Sequence, residues 1–224
     1  MAEIRAFRGI RPAAGKEADI AALPYDVYNR EEARKAVEGR PLSFLRIDRA
    51  ETQLPEDTDI YAPEVYQKAK ELLWGMVEDG NFVQDSAPCY YLYELTMNGR
   101  SQTGIVACAS IDDYRNGVIK KHENTRREKE EDRVRHVDTC DAQTGPIFLA
   151  YRNQENLKKL VAEVKEEQAL FDFTSEDEIR HRGWKIADAA KISAIYEAFH
   201  QMDALYIADG HHRAASAVRV GVKR

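Results

Sequence analysis

The chain has 224 residues, of which 43% are hydrophobic and 32% charged, an ordinary globular composition for a protein long enough to bury a full core. Its net charge of -6 leaves no basic surplus to neutralise a phosphate backbone, so a main role in nucleic-acid binding is disfavoured, whereas small anionic ligands remain open. The three cysteines form no CxxC pair, which is typical of a reducing cytoplasm. Because the sequence contains no signal-peptide core and no apolar run of membrane length, we expect a cytoplasmic protein with no membrane partner.

The N-terminal third predicts two strands and two helices. Residues 3–10 alternate loosely between apolar and polar and predict a first strand. Asn29 and Glu32 have the spacing of a capping box and open a short helix, after which residues 42–47 predict a second strand. A longer helix is predicted over residues 63–79, because a proline suits its first position and a glycine follows its end.

A conformationally restricted corner, Pro24-Tyr25-Asp26, precedes the first helix. Proline fixes its own φ and pushes the residue before it toward an extended conformation. The corner is either plain turn chemistry, which the residue types favour, or a way of presenting Tyr25 and Asp26 to a ligand.

The middle and later parts of the chain predict a hairpin and further strands and helices. Asn98-Gly99 separates two β-rich runs, residues 89–97 and 102–111, and is the strongest hairpin signal in the chain. Later strands are predicted at residues 146–151, 170–173 and 178–186, and later helices at residues 154–168, capped by Asn153, and 188–202, capped by Asp188.

A polar segment precedes a run that is almost wholly charged. His122, Glu123, Asn124 and Thr125 place an imidazole, a carboxylate and two hydrogen-bonding side chains at the mouth of a helix predicted over residues 126–136. Two lysines flank this segment, and their charges would keep Glu123 ionised, as a general base requires. The charged run itself predicts a solvated helix with i,i+4 ion pairs.

The last stretch runs from a short apolar strand, residues 205–208, into an alanine-rich helix, residues 214–220. Gly210 permits a tight turn between them. Free backbone N–H groups and the positive end of the helix dipole attract phosphate at such a turn, and Arg213 adds a forked, charged donor. The alternative is an ordinary strand-to-helix turn with solvated histidines.

Together these elements predict an α+β (mixed α/β) fold rather than a regular βαβ series. The two polar motifs resemble those of the ParB/sulfiredoxin superfamily and, within it, the free serine kinases. In those enzymes a strand that ends in DGHHR opens a helix, and an upstream His-Glu carries the catalytic glutamate; the matching segments here are Lys121-His122-Glu123 and Asp209-Gly210-His211-His212-Arg213. The chain also resembles the N-terminal part of a large bacterial and archaeal family of unknown function that carries the KHE(N)T and DGHHR motifs.

The resemblance implies one ParB/sulfiredoxin-like domain over residues 1–224, with a large insertion at about residues 126–202 between the two motifs. It also implies that the chain ends short of elements that follow the DGHHR helix in the family. The residues that it assigns are Glu123 and His122 to catalysis, and Asp209, Gly210, His211, His212 and Arg213 to the nucleotide phosphates.

The activity that the resemblance implies is a phosphotransferase that converts free L-serine into O-phosphoserine with ADP or ATP as the donor. Glu123 would take the hydroxyl proton, and Mg²⁺ would bridge phosphate oxygens with Asp209 as a ligand. Four further residues are candidate substrate contacts: Tyr25, Asp26, Asn124 and Thr125.

Two other functions remain open. A non-catalytic nucleotide-binding regulatory module would use the same turn without turnover. A transition-metal site would be built from the histidines His122, His136, His211 and His212, although no HxxxH or CxxC spacing supports it. Sulfiredoxin-like redox chemistry is disfavoured because the turn contains no cysteine, and the sequence leaves the oligomeric state open.

Overall fold

Contacts between residues divide the chain into two units, and the computed structural model describes all of residues 1–224. The first unit comprises Met1–Ala18, Gln84–His122 and Leu149–Ala208, and the second comprises Asp19–Val83, Glu123–Phe148 and Asp209–Arg224. Each unit is therefore assembled from three segments that are far apart in sequence.

Helices and strands alternate irregularly along the chain. The helices are α1 (Glu17–Ile20), α2 (Arg30–Val37), α3 (Leu45–Asp48), α4 (Pro63–Glu78), α5 (Ile111–Arg115), α6 (Arg127–Cys140), α7 (Glu155–Lys165), α8 (Ala189–His200) and α9 (His211–Lys223). The strands are β1 (Ile4–Arg5), β2 (Ile10–Pro12), β3 (Phe82–Gln84), β4 (Tyr90–Met97), β5 (Arg100–Val106), β6 (Cys108–Ala109), β7 (Ile119–Lys120), β8 (Phe148–Ala150), β9 (Phe171–Thr174), β10 (Arg180–Ile186) and β11 (Leu205–Asp209). Short 3-10 turns occupy Tyr25–Val27 and Ala50–Gln53. This mixture confirms the predicted α+β class. None of the helices is both long enough and apolar enough to cross a bilayer.

The largest sheet of the first unit is antiparallel and has the strand order β5-β4-β10-β9. β4 and β5 form the predicted hairpin, and its turn residues Asn98 and Gly99 have φ of 50° and 76°. Those left-handed values are the ones that a two-residue type I′ turn requires, which is why Asn-Gly predicted it. The later pair of strands, β9 and β10, is also confirmed.

β11 of the first unit pairs in parallel with β7, with Leu205 opposite Ile119. Because parallel neighbours end at the same edge of a sheet, the chain leaves β7 and β11 in the same direction. The segments that follow these strands begin the second unit at Glu123 and Asp209, and they carry the two motifs singled out in the sequence.

The second unit is mainly helical, and α6 contacts both α4 and α9. The Trp74 ring N–H donates to the carbonyl oxygen of Cys140 at 2.9 Å, which joins α4 to the end of α6. Arg219 of α9 is paired with Glu130 at 3.0 Å and with Glu131 at 3.1 Å on α6. These contacts hold α4 and α9 against α6, the helix that follows Glu123.

Several predicted helix boundaries in both units are confirmed by their capping bonds. The side chain of Asn29 accepts from the N–H of Glu32 at 2.9 Å, and the Glu32 carboxylate accepts from the N–H of Asn29 at 2.8 Å, which is the expected capping box. α4 begins at its proline as predicted. Asp188 caps α8 by accepting from the N–H of Lys191 at 2.9 Å.

The strand predicted over residues 42–47 is wrong, because this segment forms α3 instead. Its backbone bonds locally: Ile47 N–H donates to Phe44 at 2.9 Å, and Arg49 N–H donates to Leu45 at 2.8 Å. A short apolar run does not by itself separate a strand from a buried helical turn. The first strand, predicted over residues 3–10, is found only as the two short strands β1 and β2.

Two other local predictions need correction. Asn153 does not cap α7, because the residue at the cap position is Gln154 and the amide of Asn153 donates to the carboxylate of Glu155. The charged helix α6 is not solvated on all sides, since Arg133 and His136 are buried. Both residues lie on the face of α6 that ends at the buried Cys140.

Candidate functional site

The start of α9 has the geometry of an anion-binding turn. β11 ends at Asp209, Gly210 follows with φ of 90°, and α9 begins at His211. Only glycine adopts that left-handed conformation without steric cost, and glycine has no side chain to cap the helix. The first N–H groups of α9 are therefore presented at the turn together with the positive end of its dipole.

Arg213 is fixed in the first turn of α9 by two hydrogen bonds. Its Nη1 donates to the carbonyl oxygen of Pro146 at 2.6 Å, and its Nη2 donates to Oδ2 of Asp209 at 2.7 Å. A Cβ added to Gly145 would lie 2.9 Å from Cδ of Arg213, so the arginine side chain runs across a position where only glycine leaves room. Arg213 is thus a positioned donor rather than a mobile surface charge.

The structure brings Glu123 to the same turn. Oε2 of Glu123 lies 3.7 Å from Nδ1 of His211. The His211 side chain is buried, with 6% exposed, whereas 61% of the Glu123 side chain is exposed. A carboxylate open to solvent therefore stands beside the first residue of α9, where an incoming hydroxyl group could reach it.

The other residues of the His-Glu segment have different surroundings. His122 is exposed and is the last residue of its stretch of the first unit, and Asn124 is exposed as well. The hydroxyl of Thr125 donates to the carboxylate of Glu130. Lys121 lies with its ammonium group 4.2 Å from the ring centre of Tyr114. The structure therefore gives Thr125 and Lys121 protein partners of their own.

His212 has a defined role in the local structure. Its Nε2 accepts a hydrogen bond from the backbone N–H of Arg126 at 3.0 Å. Because an accepting ring nitrogen carries no proton, Nδ1 is the protonated nitrogen and the ring is neutral in this arrangement. In the same unit, Nε2 of His136 is bonded to the carbonyl group of Ile47 at 3.2 Å, so these two histidines of the proposed metal set have protein partners instead.

A narrow cleft in the second unit lies next to this turn. Its volume is about 10 Å³, which is room for about one water molecule. Its wall includes Tyr25, Asp48, Arg133, Thr144, Arg213 and Ser216. Of the candidate substrate residues predicted from sequence, Tyr25 reaches this cleft, while Asp26 is exposed on the same 3-10 turn.

Asp48 is the most perturbed carboxyl group of the cleft. Loss of water contact raises its pKa to about 6, although the positive charges of Arg133 and Arg213 and a hydrogen bond from Thr144 favour the ionised form. The Thr144 hydroxyl donates to Oδ1 of Asp48 at 3.1 Å. A carboxyl group with such a pKa in a cleft is typical of functional sites.

Arg133 is the cation of the same wall and is only 8% exposed. Its guanidinium carbon lies 4.2 Å from the ring centre of Tyr25, and its Nη2 lies 2.9 Å from Oδ2 of Asp132. The neighbouring imidazole of His136 is neutral near pH 7, because burial and the charge of Arg133 lower its pKa to about 4. Burial also raises the pKa of the Tyr25 phenol.

Asp48 and Arg133 are not among the site residues that the sequence predicts. Asp48 adjoined a segment interpreted as a strand, and Arg133 belonged to a helix interpreted as solvated. One signal was present: Arg133, His136, Val137 and Cys140 recur at i, i+3, i+4 and i+7, which is the spacing of a buried helix face. Because two of those positions hold the polar residues Arg133 and His136, the face does not show an apolar periodicity.

Comparisons with known proteins identify the family of the chain. No curated protein matches it, and no solved structure matches it. The model of one protein family matches residues 4–224, which is nearly the entire chain. The chain belongs to the family described as "Protein of unknown function (DUF1015)".

Proposed function

We propose that this protein is a nucleotide-dependent phosphotransferase that transfers a phosphoryl group from ADP or ATP to the hydroxyl group of a small acceptor, free L-serine. The observation that carries the proposal is the 3.7 Å separation between the Glu123 carboxylate and the His211 ring at the start of α9. A base beside an anion-binding turn is the arrangement that phosphoryl transfer to a hydroxyl group needs.

The turn at Gly210 is the proposed site of the donor phosphates. The N–H groups of the first turn of α9 and the guanidinium group of Arg213 would bind phosphate oxygens, for which helix N-termini and arginine forks are suited. His212 would contribute a neutral Nδ1–H donor, because its Nε2 is occupied by the N–H of Arg126. His211 completes the wall beside Glu123.

Asp209 is the residue that would hold Mg²⁺. Its side chain is 68% exposed at the same turn and is a carboxylate, the ligand type that Mg²⁺ prefers. Bound there, Mg²⁺ would neutralise the negative charge of the phosphate oxygens. Asp209 accepts a hydrogen bond from Arg213 through Oδ2, which orients the carboxylate toward the turn.

In the proposed step, Glu123 accepts the proton of the serine hydroxyl while that oxygen attacks the terminal phosphorus of the nucleotide. The bond between this phosphorus and its bridging oxygen breaks, and the shortened nucleotide leaves with the bridging oxygen. Backbone N–H groups and Arg213 stabilise the charge on the phosphoryl oxygens. A ParB/sulfiredoxin-like core is part of this proposal, and it is supported by the order of elements: β7 precedes His122-Glu123, and β11 leads through Asp209-Gly210 into α9.

The experiment is to incubate the protein with L-serine, Mg²⁺ and either ADP or ATP, and to follow O-phosphoserine by phosphorus NMR. We expect product with the wild type and a loss of about 100-fold or more in rate with Glu123→Gln, because removing a general base costs that much. Glu56→Gln is the matched control, since Glu56 is an exposed carboxylate of a loop in the same unit. Equal rates for Glu123→Gln and the wild type would refute the assignment of the base.

A nucleotide-binding regulatory module is the second candidate. The observation that favours it is the 61% exposure of the Glu123 side chain, since a catalytic base is usually shielded from bulk water. This candidate requires nucleotide binding that is lost in Arg213→Ala, together with no product from L-serine or from any other hydroxyl compound tested. Phosphoserine formation by the wild type decides against it.

A further inference from the structure

The side chains of Asp209 and Arg213 form an ion pair across the turn at Gly210, with Oδ2 of Asp209 2.7 Å from Nη2 of Arg213. We propose that this ion pair is an autoinhibitory contact, which keeps phosphate groups out of the turn until a divalent cation binds Asp209. The proposal rests on the proposed function, because it concerns the same anion-binding turn and the same metal ligand. It adds that the cation and the phosphate bind cooperatively, and it names the two side chains that couple them.

Both terminal nitrogens of Arg213 already have oxygen partners within the protein. Nη1 donates to the carbonyl oxygen of Pro146 at 2.6 Å, while Nη2 is bonded to the Asp209 carboxylate. The guanidinium group lies against the turn, since a Cβ added to Gly210 would be 3.3 Å from Nε and 3.5 Å from Cζ of Arg213. Its side chain is only 15% exposed. A phosphate that enters the turn therefore has to compete with the Asp209 carboxylate for Nη2.

The formal charges at the turn oppose the binding of a free anion. Two carboxylates, Glu123 and Asp209, and one guanidinium group, that of Arg213, meet there, so the sum of the three charges is −1. His212 adds no charge in the arrangement where its Nε2 accepts the N–H of Arg126. The positive end of the α9 dipole offsets only about half a charge. A phosphate group therefore meets an excess of negative charge, which lowers its affinity for the turn.

Binding of a divalent cation to Asp209 reverses this balance. The Asp209 side chain is 68% exposed, so a cation can reach it without any opening of the fold. An ion pair with an exposed member contributes little to stability, and Asp209 can therefore exchange Arg213 for a cation at small cost. The exchange changes the sum of the three charges from −1 to +1 and releases Nη2 as a charged donor.

Arg213 keeps its position after the exchange. Its bond to the carbonyl oxygen of Pro146 does not involve Asp209, and its Cδ lies where a Cβ of Gly145 would be only 2.9 Å away. The released Nη2 therefore stays beside the first turn of α9, together with the N–H groups of that turn. Arg213 is thus a blocked donor without the cation and an ordered donor with it, and an ordered donor binds a phosphate at little entropic cost.

The coupling is reciprocal, because a cation that tightens the binding of phosphate is itself bound more tightly when phosphate is present. Couplings between two ligands are typically about 5-fold to 150-fold. We expect Mg²⁺ to raise the affinity of the wild type for ADP and for inorganic pyrophosphate by about tenfold or more. Two simpler roles of Asp209 predict other results. If Asp209 only ligates the metal, its removal leaves the metal-free affinity unchanged, and if it only orients Arg213, its removal lowers that affinity.

The first test measures the binding of ADP and of inorganic pyrophosphate by isothermal titration calorimetry, once in EDTA and once in Mg²⁺. Asp209→Asn keeps an oxygen acceptor for Arg213 but removes the charge. In EDTA it should bind both anions about tenfold more tightly than the wild type, and Mg²⁺ should no longer raise its affinity. Asp57→Asn, a change of an exposed aspartate of a loop in the same unit, should behave as wild type. Thermal unfolding of each variant verifies that it is folded.

The second test asks whether Asp209 acts through Arg213. The effect of Asp209→Asn on pyrophosphate affinity in EDTA is measured in the wild-type background and again in the Arg213→Ala background. Loss of the carboxylate charge raises the affinity in both backgrounds, whereas release of Nη2 raises it only when Arg213 is present. The gain from Asp209→Asn should therefore be about threefold or more larger with Arg213 than without it. An equal gain in both backgrounds would overturn the ion pair as the coupling element.

Three further results would overturn the autoinhibitory contact: a metal-free affinity of Asp209→Asn that is equal to or lower than that of the wild type, wild-type affinities that are the same with and without Mg²⁺, or no binding of either anion under any of these conditions. The expected binding without phosphoserine formation would instead leave the contact standing and remove the proposed transferase function. Because the anions are titrated without L-serine, the two failures are distinguishable.

Discussion

The carboxylate of Glu123 lies 3.7 Å from Nδ1 of His211, although α6, β8, α7, the β9–β10 pair, α8 and β11 intervene between them in the chain. The pair depends on two features that are separate in sequence. β7 and β11 are parallel neighbours, so the segments that follow them leave in the same direction. At the start of α9, His212 accepts a hydrogen bond from the N–H of Arg126, which holds this turn beside the segment that begins at Glu123.

The 3.7 Å distance between Glu123 and His211 predicts that the rate of phosphoryl transfer depends on the length of the side chain at residue 123. Glu123→Asp keeps the carboxylate but withdraws it by one methylene group, a displacement of about 1 Å that typically costs about 100-fold in rate. We expect kcat for phosphoserine formation to fall by that factor with little change in nucleotide affinity. Steady-state kinetics with Glu56→Asp as the control measures it, and an unchanged kcat would show that Glu123 does not act on the hydroxyl proton.

Alanine substitutions at Gly210 and at Gly75 should change the free energy of unfolding in opposite directions, because only Gly210 has a positive φ. Gly210 has φ of 90°, so Gly210→Ala should lower the free energy of unfolding by about 1 to 3 kcal/mol. Gly75 lies inside α4 with open space around its Cα, so Gly75→Ala should raise the same quantity by about 0.5 to 1 kcal/mol. Urea unfolding gives both values. If Gly210→Ala did not lower the free energy of unfolding, residue 210 would not have a positive φ in solution.

Asp48 should make the protein less stable at neutral pH than at acidic pH. Its pKa is raised from 3.8 to about 6 by burial, so between these values the unfolded chain loses the proton while the folded protein keeps it. The unfavourable contribution of Asp48 to the free energy of unfolding is therefore small below pH 4, grows as the pH rises to 6, and is constant above pH 6. Asp48→Asn should therefore raise the free energy of unfolding at pH 7 by on the order of 2 kcal/mol and leave it unchanged near pH 4.

Urea unfolding of Asp48→Asn at the two pH values measures this difference, with Asp57→Asn as the control for a solvated aspartate. A residue whose removal stabilises the fold is typical of a functional site. Destabilisation by Asp48→Asn at pH 7 would indicate instead that the carboxylate is a structural member of the cleft.

Glu94 of the first unit should have the opposite pH dependence. Burial opposes its ionisation, but hydrogen bonds from Lys165, Thr103 and Arg182 outweigh this and lower its pKa from 4.5 to about 2. A carboxyl group with a depressed pKa in the folded state stabilises the protein above pH 4.5, and this stabilisation is lost as the pH falls to 2.

Glu94→Gln should therefore destabilise the first unit at pH 7 by about 3 to 5 kcal/mol, because it breaks a buried ion pair. The difference from wild type should shrink as the pH falls from 5 toward 2. Acid unfolding followed by circular dichroism tests this, and Glu155→Gln, an exposed glutamate in the first turn of α7, serves as the control. A difference that does not change with pH would contradict the assigned pKa.

The features that the sequence predicted correctly depend on the conformational preferences and capping bonds of residues that are close together in the chain. Asn98-Gly99 adopts left-handed φ values with little strain, Asn29 and Glu32 cap one helix end by themselves, and Gly210 permits the sharp turn before α9. Each signal lies within a few residues and concerns the conformation of the residues that carry it, so no knowledge of distant parts of the chain is needed. The kinds of functional group in the two motifs, namely carboxylate, imidazole, glycine and arginine, are likewise evident from the sequence alone.

The tertiary structure alone decided which of these residues meet and which charges are buried. Residues 42–47 form a helical turn rather than a strand, because a short apolar run is compatible with both and its surroundings choose between them. The sequence does not predict that Arg133 and Asp48 lie in the same cleft. The burial that orders Arg133 and raises the pKa of Asp48 arises where residues of α3, α6 and α9 come together. Proximity and loss of solvent are properties of the packed chain, and they turn ordinary charged residues into a candidate site.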